Sequence, residues 1–452
     1  MNIQKLALLF FPLWALSLFL YVAVWFQLPL ISTILLALTL LLTGQGALST
    51  YSMLYTFLES GRLLGLKAKK HILPGKGSYT FSLIVPARNE EKVIADTLKA
   101  MSRISYPKTM YEVLVVVRAD DAATLAKTEE ALAQINRDNF RLITIDGEAN
   151  TKSYSLNIGA HFAKHEIVAV FDAEDEPHPD ILTHVSEAFA ADTELSIVQA
   201  GVQLINVGST WFSAINCLEY YFWYKSVLPM MAKNKTTFLG GNSVFIKKEA
   251  LLTVGKWDEG CLTEDADIGV RLSNHNFKTG VIYEENLSTL EETPVDELAF
   301  IKQRSRWDFG YLQILFKGQW LKFKSLKQQY LSLYILTQPL FRHVSFVAMV
   351  LLPLMTRFLQ VPVGLALLSY LPAYFLVMQL GMYALGLYDL RKYYNLRFPL
   401  GVFITTVLTF FPYQLMLFIS SLRALVRLTL GKYTWEKTVH QNSHRLLYSP
   451  SH

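Results

Sequence analysis

The chain has 452 residues, 52% of them hydrophobic and only 17% charged, with 28 Phe, 23 Tyr and 8 Trp. This is too apolar for an ordinary soluble protein of its size, so part of it is expected in lipid. The net charge of +5 comes largely from Lys and Arg beside apolar stretches, and no recognition motif accompanies them, which argues against nucleic acid as a partner.

From Leu6 through Leu58 there is no Asp, Glu, Lys, Arg or His, a run about twice the roughly 20 residues that span a bilayer once. It reads as a helical hairpin turning near Gln27-Leu28-Pro29, occupying residues 1–66 with its flanks. A cleavable signal peptide is disfavoured because the apolar core is too long and no small-residue cleavage site is followed by polar sequence. Arg62, Lys67, Lys69 and Lys70 follow the second span, so the positive-inside tendency places residues 59 onward in the cytoplasm.

Residues 78–310 have soluble character. Tyr79 to Pro86, Tyr111 to Val117, Phe140 to Ile145 and Ile167 to Phe171 read as strands, with helical spacing over Glu91 to Met101 and between several of the others. This alternation predicts a mostly parallel sheet covered on both faces, with ligands beyond the carboxyl ends of its strands. Asp120 and Asp121 fall at one such end and Asp172, Glu174 and Asp175 at another. Carboxylates there can hold a hard divalent cation that neutralises a diphosphate. The structural alternative is a solvated acidic loop ahead of the next helix. Cys217 and Cys261 lack metal-ligand spacing and read as free thiols.

Thr263-Glu264-Asp265 precedes a helical pattern from Ala266 to Ser273. A carboxylate there can take the proton of an attacking hydroxyl, or the segment is simply a helix start, with Thr263 as the N-cap and two acids complementing the dipole. Gln303-Arg304-Ser305-Arg306-Trp307 follows on another helix. Arg306 suits a diphosphate and Trp307 a sugar face; the alternative is an interfacial anchor. Lys317, Lys322, Lys324 and Lys327, interleaved with Phe316, Trp320 and Phe323, predict amphipathic helices at 311–330 lying on an anionic leaflet.

Residues 331–430 are apolar again. Phe358 through Tyr388 and Phe398 through Leu422 are long enough to span, while Tyr330 through Thr356 is interrupted by Arg342 and His343, either a polar lining or the boundary of a shorter span. Arg423, Arg427, Lys432 and Lys437 prefer the cytoplasm, which demands an even number of crossings. Four are favoured, with a helix broken near Pro339 or Pro412.

The order and spacing of these segments resemble the membrane-embedded, processive branch of family 2 glycosyltransferases, which includes cellulose, chitin and hyaluronan synthases and related bacterial polysaccharide synthases. Pro86-Ala87-Arg88-Asn89-Glu90 is similar to that family's first nucleotide-binding loop. Asp120 or Asp121 takes the place of its uracil-contacting Asp, and Lys152, Asn157 and Gly159 match its lysine, asparagine and glycine pattern. Asp172 matches the first metal-associated Asp, Asp265 the catalytic base, and Gln303, Arg306 and Trp307 the Gln-x-x-Arg-Trp motif. Two places depart from the pattern. Asp172-Ala173-Glu174-Asp175 replaces Asp-x-Asp, leaving Glu174 or Asp175 as the second acidic partner, and Ala119-Asp120-Asp121-Ala122 replaces Asp-Asp-Gly.

The resemblance implies an α/β GT-A (Rossmann-like) cytoplasmic domain inserted between α-helical transmembrane regions, a multi-pass inner-membrane protein. It implies inverting transfer from a UDP-sugar to a growing β-linked polysaccharide that is moved across the membrane, with one-sugar transfer to a lipid-linked acceptor as the alternative. Catalysis would fall to Asp265, Glu264 and Arg306. Donor binding would fall to Pro86, Ala87, Arg88, Glu90, Asp120, Asp121, Lys152, Asp172 and Arg306, and acceptor binding to Gly241, Asn242, Gln303 and Trp307. Mg2+ or Mn2+ would sit on Asp172, Glu174 and Asp175. The tail at 431–452 carries Trp435, Lys437 and Thr438, similar to a gating loop in bacterial relatives. Membrane lipids, an accessory export subunit or a second copy of the chain complete the expected partners.

Overall fold

The computed structural model describes residues 30–59, 78–146, 151–358, 363–396 and 401–431. Its centre is a seven-stranded sheet of order β3-β2-β1-β4-β7-β5-β8. The strands are β1 Phe81–Ala87, β2 Tyr111–Arg118, β3 Phe140–Ile145, β4 Ile167–Val170, β5 Leu195–Ala200, β7 Val244–Lys247 and β8 Lys278–Ile282. A separate parallel pair joins β6, Val202–Leu204, to β9, Thr289–Glu291.

Leu83-Ile84-Val85 in β1 and Val113 through Val117 in β2 are continuous apolar runs because these strands are covered on both faces. Phe81, Leu83, Val85, Val113 and Val115 pack on one side with Phe171, Phe189 and Phe245. Ile84, Leu114, Val116, Val168 and Ile246 pack on the other with Leu156, Ile268 and Leu272.

The sheet is mixed, which corrects the mostly parallel expectation in one place. β7 runs antiparallel to both β4 and β5. Its register sets Val170 opposite Val244, so the loop entering β7, Gly240-Gly241-Asn242-Ser243, lies beside the carboxyl end of β4. The carboxyl ends of β1, β2 and β4, mutually parallel, open on the same side.

Among the described residues two helices are long and apolar enough to cross a membrane, Ser32–Leu58 and Ala366–Tyr393, and a third crossing results if Gly401–Leu408 and Phe410–Thr429, bent by 47° just before Pro412, count as one. Gln338–Phe358 starts beside Pro339 and carries Arg342. Among the described residues, one or two such helices lie in the C-terminal part. The first half of the expected hairpin and the tail residues Trp435, Lys437 and Thr438 lie outside the described residues.

The expected boundary at 310/311 falls inside a single 21-residue helix, Glu297–Lys317, capped by Asp296 and ended by the left-handed Gly318 at φ 65°. Of the following basic and aromatic run, Lys322, Lys324 and Lys327 are exposed. Trp320 and Phe323 are not on the surface: they pack with Phe238, Cys261 and Ala266. Lys317 bonds Asp258 at 2.6 Å and Asp267 at 2.9 Å. Phe316, by contrast, is 70% exposed, so the run is divided between a buried aromatic side and exposed residues.

Candidate active site

Three chain crossovers meet beyond the end of β4. Lys152 opens the helix Lys152–Phe162, whose N-cap Thr151 accepts from the Tyr154 amide at 3.2 Å. Its ammonium pairs with the Asp172 carboxylate and donates to the Gly241 carbonyl at 2.8 Å. Burial alone would depress the lysine, but Asp172, then Glu264, reverse this and hold it above its ordinary value.

The helix Glu264–Asn274 brings Glu264 and Asp265 to the same point. Asp265 accepts from the Ala266 amide at 2.8 Å. Thr263 holds the N-cap position without a side-chain cap bond, which corrects its expected role. Its side chain is pressed instead against Gly310, where a Cβ would collide with it. Burial raises both neighbouring carboxyls, and Glu264 is pushed up to about 7, with the Asp265 charge adding to burial and Lys152 opposing it.

Asp172, Glu264, Asp265 and Arg306 line one cavity of about 480 Å³. Pro86, Ala87, Arg88, Glu90 and Lys152 border it, as do Glu174, Gly241, Asn242, Gln303 and Trp307. Gln303 Oε1 is buried there with no hydrogen-bond partner among the described residues. The Trp307 ring is covered by the Arg304 guanidinium at 4.3 Å from its centroid. Arg304 is itself held by Asn216 and Glu219, each at 2.5 Å.

Three expected residues stand elsewhere. Asp121 is buried as the N-cap of Ala122–Ile135, accepting from Thr124 N at 3.2 Å and from Asn89 N at 2.5 Å. Asp120 is exposed and pairs with Arg118 at 2.8 Å, and it is Arg118 that borders the cavity. Asp175 is turned inward: it accepts from the Asp172 amide and from Asn242 Nδ2, both at 2.8 Å, and has no exposed surface. Asn157 and Gly159 serve packing, the first clipping Trp257 and Glu259, the second lying against Ile84.

Of the acidic segment, Asp172 and Glu174 are thus the carboxylates that line the cavity. Burial raises the Asp172 carboxyl, Lys152 pulls it down and Glu174 pushes it up again. No three His, Cys, Asp or Glu side chains among the described residues form a ready-made cage. Two carboxylates fit a hard cation whose remaining positions are filled by phosphate oxygens and water.

The sequence left several wall residues unread. Glu291, in β9, accepts from Asn242 at 2.5 Å, and burial first, then the charges of Glu174 and Asp172, push it up to about 8. Tyr220, Trp223, Tyr224 and Val227 form another wall, and their i, i+3, i+4, i+7 spacing was the available signal. From the helices flanking the domain come Ser49, Ser52, Tyr334, Gln338, Arg342 and Tyr383. Arg342 pairs with Asp308 at 2.6 Å while bordering the cavity.

Residues 78–310 match the model of the family described as glycosyltransferase like family 2. The chain belongs to that family. Among curated relatives of this glycosyltransferase, a beta-monoglucosyldiacylglycerol synthase of Synechocystis sp. is 30% identical over 246 residues, covering 53% of this chain and 49% of the relative. A poly-beta-1,6-N-acetyl-D-glucosamine synthase of Staphylococcus epidermidis is 26% identical over 294 residues, covering 63% and 66%. The chain thus spans from about half to two thirds of the length of these relatives. A mannosyltransferase of Pyrobaculum calidifontis, solved with GDP-Man and Mn2+, shares the fold with a TM-score of 0.60 at 19% identity, over 89% of this chain and 100% of that one.

Proposed function

We propose that this glycosyltransferase moves a hexose from a nucleoside diphosphate sugar, UDP-linked in our reading, to a hydroxyl of a membrane-held acceptor. One observation carries the proposal: a single cavity joins Asp172, Lys152 and Asp265 to Ser49, Ser52, Tyr334, Gln338 and Arg342 on helices outside the α/β domain. Donor chemistry and a route from the membrane then share one space.

The reaction is a single displacement with inversion. Asp265 accepts the proton of the attacking hydroxyl, and Glu264 tunes it from the adjacent position. Arg306 and Lys152 face the charge that develops on the departing diphosphate, and Arg88 and Glu90 border the donor end. Asp172 and Glu174 would hold Mg2+ or Mn2+, which when bound neutralises diphosphate charge. Gln303, Gly241, Asn242 and Trp307 orient the acceptor, so that proximity supplies much of the rate.

The acceptor we favour is the end of a growing β-linked polysaccharide. The hydroxyls and amide of Ser49, Ser52, Tyr334 and Gln338 suit a carbohydrate better than an acyl chain. Transfer of one sugar to a lipid is the second reading, favoured by the 30% identity to a glycolipid synthase. We place the protein in the inner membrane through Ser32–Leu58 and Ala366–Tyr393, with the α/β domain on the cytoplasmic side. Product size in lipid vesicles tests the choice: long, glycosidase-sensitive chains support the polysaccharide, and a one-sugar lipid product overturns it for the second reading.

A further inference from the structure

Away from the cavity, a second polar cluster joins the α/β domain to both candidate membrane spans. Lys225 Nζ donates to Glu285 at 2.8 Å, to Asp389 at 3.1 Å and to the Tyr221 hydroxyl at 2.6 Å, and Tyr221 donates to Asp389 as well. Asp389 lies near the end of the span Ala366–Tyr393. The span Ser32–Leu58 ends on the same spot. The Phe57 ring centroid is 5.1 Å from the Lys225 ammonium, the Thr56 amide donates to Ser226 Oγ at 2.9 Å, and the Thr56 hydroxyl donates to the Lys225 carbonyl. The three charged side chains are between 14% and 16% exposed.

Buried ion pairs of this kind add little net stability, because desolvation offsets their attraction, but removing one partner is costly. Their use is to select one arrangement. Here the selected arrangement is unusual, since Lys225 sits within a π-helical turn, Trp223–Val227, between the helices Ser213–Phe222 and Leu228–Lys233. Such turns are rare inserts found mostly at functional sites. Tyr221 and Lys225 face the cluster, and Tyr220, Trp223, Tyr224 and Val227 face the cavity. The Tyr224 hydroxyl is packed against Gly240 so closely that a Cβ there would collide with it. Gly241, the next residue, carries the carbonyl that receives Lys152.

We propose that Lys225 is a positioning residue through which the two candidate membrane spans fix the acceptor wall of the cavity. The contacts form a continuous series from Asp389 and Phe57, through Lys225 and the π-turn, to Tyr224 and the Gly240-Gly241 loop, which lies against Asp265. The inference rests on the reading that the acceptor reaches Asp265 from the membrane-helix end. It separates two functions of one cavity, because Arg88, Asp172 and Glu174 at the donor end belong to other elements.

The test uses the full chain in lipid vesicles, as wild type, Lys225→Met, Lys225→Arg, Asp389→Asn and the Lys225→Met/Asp389→Asn pair. Nucleotide affinity, donor hydrolysis without acceptor, and KM and kcat for acceptor transfer are measured for each. Lys225→Met and Asp389→Asn are each expected to raise the acceptor KM about tenfold, with nucleotide affinity and donor hydrolysis within about twofold of wild type. The pair is expected to be no worse than either single change, since both remove one unit, and Lys225→Arg to recover most of the loss. An unchanged acceptor KM, equal losses of donor binding and transfer, or additive losses would overturn the proposal. Should the methionine variant not fold, Asp389→Glu carries the test: a raised acceptor KM with unchanged nucleotide affinity supports it, and an unchanged KM overturns it. A wild type that turns over no donor overturns the proposed function itself and this inference with it.

Discussion

Gly241 and Asp265 approach so closely that a Cβ on the glycine would lie 3.1 Å from Asp265 Oδ2, with Lys152 Nζ 3.5 Å away. A side chain at this position would crowd the Asp265 carboxylate. Gly241→Ala is therefore expected to fold and bind nucleotide normally while transfer falls by roughly 10- to 100-fold, since small misplacements of reacting groups are costly. Parallel measurement of nucleotide affinity and turnover checks this; equal losses in both would contradict it.

Glu264 gives a pH prediction. Burial, then the Asp265 charge, pushes its carboxyl up to about 7, so it should be neutral below that pH and charged above it, and its negative charge would make the adjacent Asp265 more basic. Turnover should rise with pH through an inflection near 7 that Glu264→Gln removes. Stability has the opposite sign. A carboxyl raised above its unfolded value binds more protons when folded, so stability is lost as pH rises from the unfolded value to about 7. Glu264→Gln should melt higher than wild type above pH 7, with the difference vanishing in acid.

The adjacent acids Asp120 and Asp121 should behave differently. Asp121→Ala removes a helix cap and the acceptor of the Asn89 amide, costing about 1–2 kcal/mol of stability. It also releases the Asn89 turn, which holds φ 52°, and so should weaken nucleotide binding. Asp120→Asn removes an exposed pair with Arg118, of a kind that adds little to stability. Melting curves and nucleotide titrations of the two variants distinguish them.

Arg304→Met should be the most destabilising change in the Gln303–Trp307 segment. It leaves Glu219 and Asn216 without the guanidinium and uncovers Trp307, and breaking a buried pair from one side costs about 3 kcal/mol or more. Arg306→Met, by contrast, should lower turnover more than stability. Melting temperatures set against kcat for the two variants test the division.

β1, β2 and β4 were legible because strands buried on both faces read as largely apolar runs, and β3 because its apolar residues mark a half-exposed edge strand. β7 was not: Val244-Phe245-Ile246-Lys247 is only four residues long and follows Gly240-Gly241-Asn242-Ser243, which reads as a loop. Its antiparallel placement is the reason Gly241 meets Lys152 and Asp265. Sequence order could nominate Lys152, Asp172 and Asp265 separately, but their convergence depends on three crossovers. The inward turn of Asp175 and the capping role of Asp121 were equally hidden, since a short acidic cluster carries no mark of which carboxylate is consumed by the backbone. The burial of Trp320 and Phe323 was hidden for a related reason, because an aromatic and basic alternation suits a lipid surface and a helix joint alike.

The most direct test of glycosyl transfer with Asp265 as base is nucleotide release coupled to sugar transfer. It requires the full chain in lipid with Mg2+ or Mn2+, a panel of UDP- and GDP-sugars, and Asp265→Asn beside wild type. The account predicts one nucleoside diphosphate released per sugar transferred from a preferred donor, with Asp265→Asn slower by about 100-fold or more and nucleotide affinity retained. A folded Asp265→Asn protein that transfers sugar at the wild-type rate would contradict it.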